Sequence, residues 1–273
     1  MQHAADVLVR NNVSVHGPDG APVLVFIHGF GCDKVIWQRV LDDFTADHRV
    51  VLFDQVGAGG SDLSAYSADK YGALDGYVDD LLEICDALDL RGATLVGHSV
   101  GGTMAIAAAA RPAARERIGR IVLLAASPSY VDHPQDGYVG GFTRGDIDEL
   151  MLSNDGNFPV WAASMAPVVM GAQFPELAVE LERRFCRVDP VIARQFFRVS
   201  FLTDVRHLLQ DVTCPALILQ CANDALAPAA VGTYLHRHLP HAELVRMRAV
   251  GHMPHVSSPA ETAEEILRWL AKP

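Results

Sequence analysis

A chain of 273 residues, half of them hydrophobic and one fifth charged, can bury the core of one large domain and is not a disordered polymer. Its 33 acidic against 22 basic side chains leave a formal charge of −11, so long-range electrostatics disfavour nucleic acid and anionic membrane as partners. The start MQHAADVLVR lacks a basic segment followed by an apolar one, and no uncharged stretch reads as a continuous apolar helix of about 20 residues. The five cysteines show neither a CxxC nor a Cys/His metal spacing. A cytoplasmic protein with reduced thiols, no metal and no other cofactor is expected.

In chain order, Val7–Val15 alternates apolar and polar residues and predicts an antiparallel edge pair. Val23–Ile27 (VLVFI) reads as a buried strand, Val35–Phe44 as a helix, Val50–Phe53 as a strand and Leu74–Leu88 as a long helix with an acidic face. Ala93–Val96 follows as a strand, Thr103–Ala110 as a helix and Ile121–Ala125 as a strand. Near-continuous apolar strands separated by helices mark a parallel sheet covered on both faces.

The alternation then stops for about 85 residues, which read as four short helices. The clearest are Val191–Leu202 after Asp189-Pro190 and Glu176–Phe185 after Pro175, since aspartate caps a helix and proline suits its first position. A helical block inserted between two strands of a parallel sheet must sit at the sheet edge as a cap. Ala216–Gln220 (strand), Ala229–Leu239 (helix), Glu243–Met247 (strand) and Glu261–Leu270 (helix) complete the chain. The expected architecture is α/β, a mostly parallel sheet of about eight strands with helices on both faces. Residues 1–127 and 211–273 would form the core domain, and residues 128–210 the inserted four-helix cap.

Gly97-His98-Ser99-Val100-Gly101 fits G-x-S-x-G between a strand and a helix, the context that gives the motif its chemistry. A turn this sharp strains the serine backbone and needs small neighbours, and it projects the hydroxyl from the sheet edge. Such a serine needs a base and an orienting acid, met in the order Ser, Asp, His. Asp224, in LILQCAND just past a buried strand, is the candidate acid; the competing reading is a loop aspartate capping the next helix. His252, just past the last strand, is the candidate base, with His255 of the same GHMPH loop as its competitor. Oxyanion donors are expected from the backbone N–H of Val100 and of Phe30 in the HGFG loop after the first buried strand.

With these residues placed, the chain resembles the α/β-hydrolases, and more narrowly the RsbQ-type stress-signalling hydrolases of bacteria and the plant strigolactone and karrikin receptors. The resemblance runs through HGFGCD, VLFDQVGAGGSDL, LDGYVDDLLEICDALDL, VGHSVGG, ASPSYVD, GGF, RFCRVDPVIARQFF, LILQCAND and GHMPHVSSP. It implies an α/β-hydrolase fold whose four-helix cap covers an apolar pocket lined by Tyr130, Phe142, Trp161, Met165 and Phe201. MAPVVMGAQFP and Phe158-Pro159 depart from the RsbQ pattern, so neither pocket size nor substrate is carried over. Trp161 and Met165 are four apart on an uncharged helix surrounded by Pro159, Pro167 and Pro175; both should point at Ser99, on a helix able to shift with ligand.

The expected function is a serine hydrolase acting on a small apolar ester, lactone or enol ether through an acyl-enzyme, serving as an RsbQ-like stress sensor. Dehalogenases and epoxide hydrolases need a carboxylate where Ser99 stands. Carbon–carbon bond hydrolases and perhydrolases share the triad and stay open. A different class of reading is a ligand sensor that acts mainly by docking a signalling protein, a phosphatase or kinase.

Overall fold

The computed structural model describes residues 2–272. Its strands are β1 (Ser14–His16), β2 (Val23–Ile27), β3 (Arg49–Leu52), β4 (Ala93–His98), β5 (Ile118–Leu124), β6 (Ala216–Gln220) and β7 (Ala242–Arg246). They form one sheet in the order β1-β3-β2-β4-β5-β6-β7. Every neighbouring pair is parallel except β1 with β3.

The apolar runs follow from burial on both faces. Along β2, Val25 and Ile27 enter one core cluster while Leu24 and Phe26 enter the other. In β5 the same division sends Ile121 and Leu123 one way and Val122 and Leu124 the other. One face is covered by α1 (Gln2–Arg10), α3 (Leu74–Ala87), α4 (Val100–Ala109) and α9 (Ala229–His238). The other carries α2 (Gln38–Phe44), α10 (Pro254–Ser257) and α11 (Pro259–Leu270).

The expected edge pair over Val7–Val15 is not formed. Residues 2–10 are helix α1, and only Ser14–His16 pairs with the sheet, so the described residues give seven strands rather than about eight. Val7 is buried while Val9 is 74% exposed, as expected for positions about 200° apart on a helix; in a strand they would share a face.

Between β5 and β6 lie four helices, α5 (Arg144–Gly156), α6 (Phe158–Met170), α7 (Pro175–Phe185) and α8 (Pro190–Leu202). Local chemistry sets their starts. Thr143 and Asp146 form a reciprocal capping box on α5, Asn157 accepts from Val160 N–H on α6, and Asp189 accepts from Val191 and Ile192 N–H on α8. Helix α6 runs on through Pro167, which removes one ladder hydrogen bond. No helix among the described residues is long and apolar enough to cross a membrane.

Candidate active site

The junction of β4 and α4 explains the serine's surroundings. Ser99 has φ 55° and ψ −126°, a backbone conformation that a side chain rarely adopts. Its N–H still bonds Leu124 O at 3.0 Å, so the strained residue is anchored to β5. A β-carbon at Gly97 would strike the Gly101 carbonyl, and one at Gly101 would lie 2.8 Å from the His28 carbonyl. Strand, helix and the His28–Gly31 loop approach so closely that only glycine fits.

Ser99, His252 and Asp224 are brought into one hydrogen-bonded line. Asp224 Oδ2 lies 2.8 Å from His252 Nδ1, and His252 Nε2 lies 2.8 Å from Ser99 Oγ. Asp224 Oδ1 accepts the backbone N–H of Leu226 at 2.8 Å and of Ala227 at 3.1 Å, which fixes the carboxylate's rotation. Asp224 thus does both jobs: Oδ1 serves the backbone and also lies 3.0 Å from His252 Nδ1, while Oδ2 makes the shorter contact with the histidine. With Nδ1–H donating to the carboxylate, Nε2 is left to accept the serine proton.

The His252 backbone is clamped from two sides. Its N–H donates to Val169 O in the last turn of helix α6 at 2.7 Å, and its carbonyl lies 2.8 Å from His98 Nε2. His98 therefore carries its proton on Nε2; burial, then the nearby His255 and His252, hold its basicity well below the usual histidine range. Among the described residues, His255 makes no hydrogen bond to Ser99. It is fully buried, its ring stands 4.4 Å from that of Trp37, and both of its nitrogens lack hydrogen-bond partners among the described residues. Burial, with a smaller contribution from His252, pushes its pKa down to about 3.

Over Ser99 lies a cavity of about 40 Å³, whose walls include Phe30, Tyr130, Trp161, Met165, Phe197 and Phe201. Four of the five expected pocket residues border it. Phe142 does not: its ring sits 5.9 Å from Phe201, edge to face, one layer behind the wall. Phe197, with Phe185 and Leu226, was not anticipated, although Phe197 and Phe201 stand four apart in RQFFRVSF and so share a helix face. Tyr130 does more than line the space, because its hydroxyl is 2.9 Å from Ser99 Oγ.

The expected oxyanion donors are both uncommitted. Val100 N–H is in the first turn of α4, and neither it nor Phe30 N–H donates to another group among the described residues. Gly29 keeps the Phe30 loop against the serine, since a β-carbon there would lie 3.2 Å from Ser99 Cβ. No group of three or more His, Cys, Asp or Glu side chains with metal-binding geometry occurs among the described residues.

The α/β-hydrolase fold family matches this chain over residues 22–259. A strigolactone esterase of Pisum sativum is 36% identical over 262 residues, covering 95% of this chain and 96% of its own. A karrikin insensitive 2 receptor of Petunia hybrida is 35% identical, covering 92% and 91%. Among solved structures, a hydrolase from Oleispira antarctica superposes with a TM-score of 0.94 at 38% identity, covering 99% of this chain and 98% of that one. With the fold, the serine turn and these likenesses together, the chain belongs to the α/β-hydrolase family.

Proposed function

We propose that the protein is a serine hydrolase that cleaves a small, largely apolar ester or lactone through an acyl-enzyme on Ser99. The observation that carries this reading is the buried line Asp224–His252–Ser99 opening into an apolar cavity. In this scheme Ser99 Oγ attacks the substrate carbonyl while His252 Nε2 takes its proton. Phe30 and Val100 N–H hold the oxyanion, each donor contributing about 3 kcal/mol to the transition state. His252 then protonates the departing oxygen, and water repeats the sequence on the acyl-enzyme. An enol ether enters the same scheme where it also carries a carbonyl for Ser99 to attack.

A cavity of about 40 Å³ is small for an ester with alkyl arms. Substrate binding on this reading requires the aromatic wall on α6 and α8 to open, with residues 128–210 acting as the cap. The names of the relatives add a second layer, because one is an esterase and another a receptor. We read the hydrolysis as serving a signal, with the cap's outer face meeting a phosphatase or kinase partner in the manner of RsbQ.

The test is Ser99→Ala. The variant should lose turnover of p-nitrophenyl acetate and labelling by a fluorophosphonate while keeping its melting temperature. Labelling or turnover at the wild-type rate in the alanine variant would refute Ser99 as nucleophile.

A further inference from the structure

Resting on the hydrolase reading above, we propose that Tyr130 is a catalytic hydrogen-bond donor to Ser99 Oγ that speeds deacylation. The assignment begins with proton accounting at one oxygen. Ser99 Oγ carries a single proton, and His252 Nε2 at 2.8 Å accepts it, because the His252 proton sits on Nδ1 against Asp224. The contact of 2.9 Å between Ser99 Oγ and Tyr130 Oη therefore has one consistent direction: the phenol donates and the serine oxygen accepts. Tyr130 is 2% exposed, and Ser99 is its hydroxyl's partner among the described residues. Burial raises the phenol's pKa, so it remains a donor across the neutral range. Its ring lies 5.0 Å from that of Phe201, which in turn lies 4.4 Å from Phe197, so helix α8 holds the hydroxyl on the nucleophile.

The two half-reactions do not use this donor equally. Before acylation the free serine hydroxyl already accepts the phenol's hydrogen bond, so the attacking oxygen gains little more as charge develops. In the acyl-enzyme Oγ is an ester oxygen, a poor acceptor. When water adds, its proton passes to His252 Nε2. The C–Oγ bond then breaks, the electron pair returns to Oγ, and His252 Nε2–H delivers the proton. Tyr130 keeps its own proton throughout and bonds Oγ most strongly as that electron pair arrives. The donor thus lowers the barrier to deacylation more than the barrier to acylation.

The experiment is Tyr130→Phe with p-nitrophenyl acetate in stopped flow, with active sites titrated by fluorophosphonate. Losing a hydrogen bond to a charged oxygen should slow steady-state turnover about tenfold or more, with acylation within about threefold of wild type. A burst of one nitrophenolate per site and an acetylated species in the intact mass spectrum accompany that outcome. Equal loss in both phases, or no accumulated adduct, would overturn the proposal. Should the phenylalanine variant not fold, Phe201→Ala carries the test, because it removes the ring against which the phenol leans and should also accumulate the adduct. A wild-type protein with no fluorophosphonate label on Ser99 contradicts the hydrolase reading itself, which is a different failure from a labelled variant with normal deacylation.

Discussion

Replacing Asp224 with asparagine tests the orienting role in a way that geometry makes specific. Oδ1 accepts two backbone N–H groups, from Leu226 and Ala227, and lies 3.0 Å from His252 Nδ1, while Oδ2 is the nearer oxygen at 2.8 Å. An asparagine that keeps its single oxygen toward those two donors puts its NH2 group at the shorter contact with Nδ1. Nδ1 then becomes an acceptor, the imidazole proton moves to Nε2, and Ser99 loses its base. The loss in kcat should be on the order of 10⁴, as for the same exchange in serine proteases, or about 5.5 kcal/mol of barrier. Stability should hardly change, because each buried group keeps a partner. Asp224→Ala differs: it leaves the Leu226 and Ala227 N–H groups buried and unpaired, at about 1–3 kcal/mol each. Steady-state hydrolysis of p-nitrophenyl acetate with parallel urea unfolding reads both quantities. An asparagine variant within tenfold of wild type would refute the tautomer reasoning.

The histidines behind the site predict a pH-dependent stability. His255 is fully buried with its pKa depressed to about 3, so the unfolded chain binds a proton that the folded chain refuses. Its contribution is fully present above the unfolded value near 6.5 and falls as pH drops from there toward 3, by about 2 kcal/mol at pH 5. His255→Leu should flatten the decline between pH 7 and 5 in urea melts, and an unchanged slope would count against it. Trp161, 3% exposed, contacts Phe30, Phe158, Phe185 and Phe197. Its replacement by alanine should destabilise the cap by about 3–5 kcal/mol and raise KM, while a small fluorophosphonate still labels Ser99. An adduct on Ser99 should change amide exchange across residues 142–201 more than across the sheet; uniform exchange would argue for a static cap.

Much of this was legible in the sequence because the signals are local. Val23–Ile27 and Ala216–Gln220 are runs that only a doubly covered strand explains, and both strands span those residues. The serine turn needs glycines at fixed offsets, and backbone approach distances at Gly97 and Gly101 give the reason. The N-terminal segment misled because Val7, Val9, Val13 and Val15 alternate, yet packing of α1 on α3 decides the matter through Val7 and Leu8. Contacts made across the fold left no local trace. Nothing in the residue order says that His98 would hold the His252 carbonyl, that Tyr130 would reach Ser99, or that Phe142 would stand behind Phe201.

On the proposed mechanism Ser99 becomes covalently acylated, with His252 and Asp224 behind it. Acid-quenching the protein during turnover of p-nitrophenyl acetate, then sequencing its peptides by tandem mass spectrometry, tests this most directly. An acetyl group is expected on Ser99, absent in Ser99→Ala and formed at a far lower rate in Asp224→Asn. Turnover with no acyl-serine, or an acetyl group on another nucleophile, would contradict it.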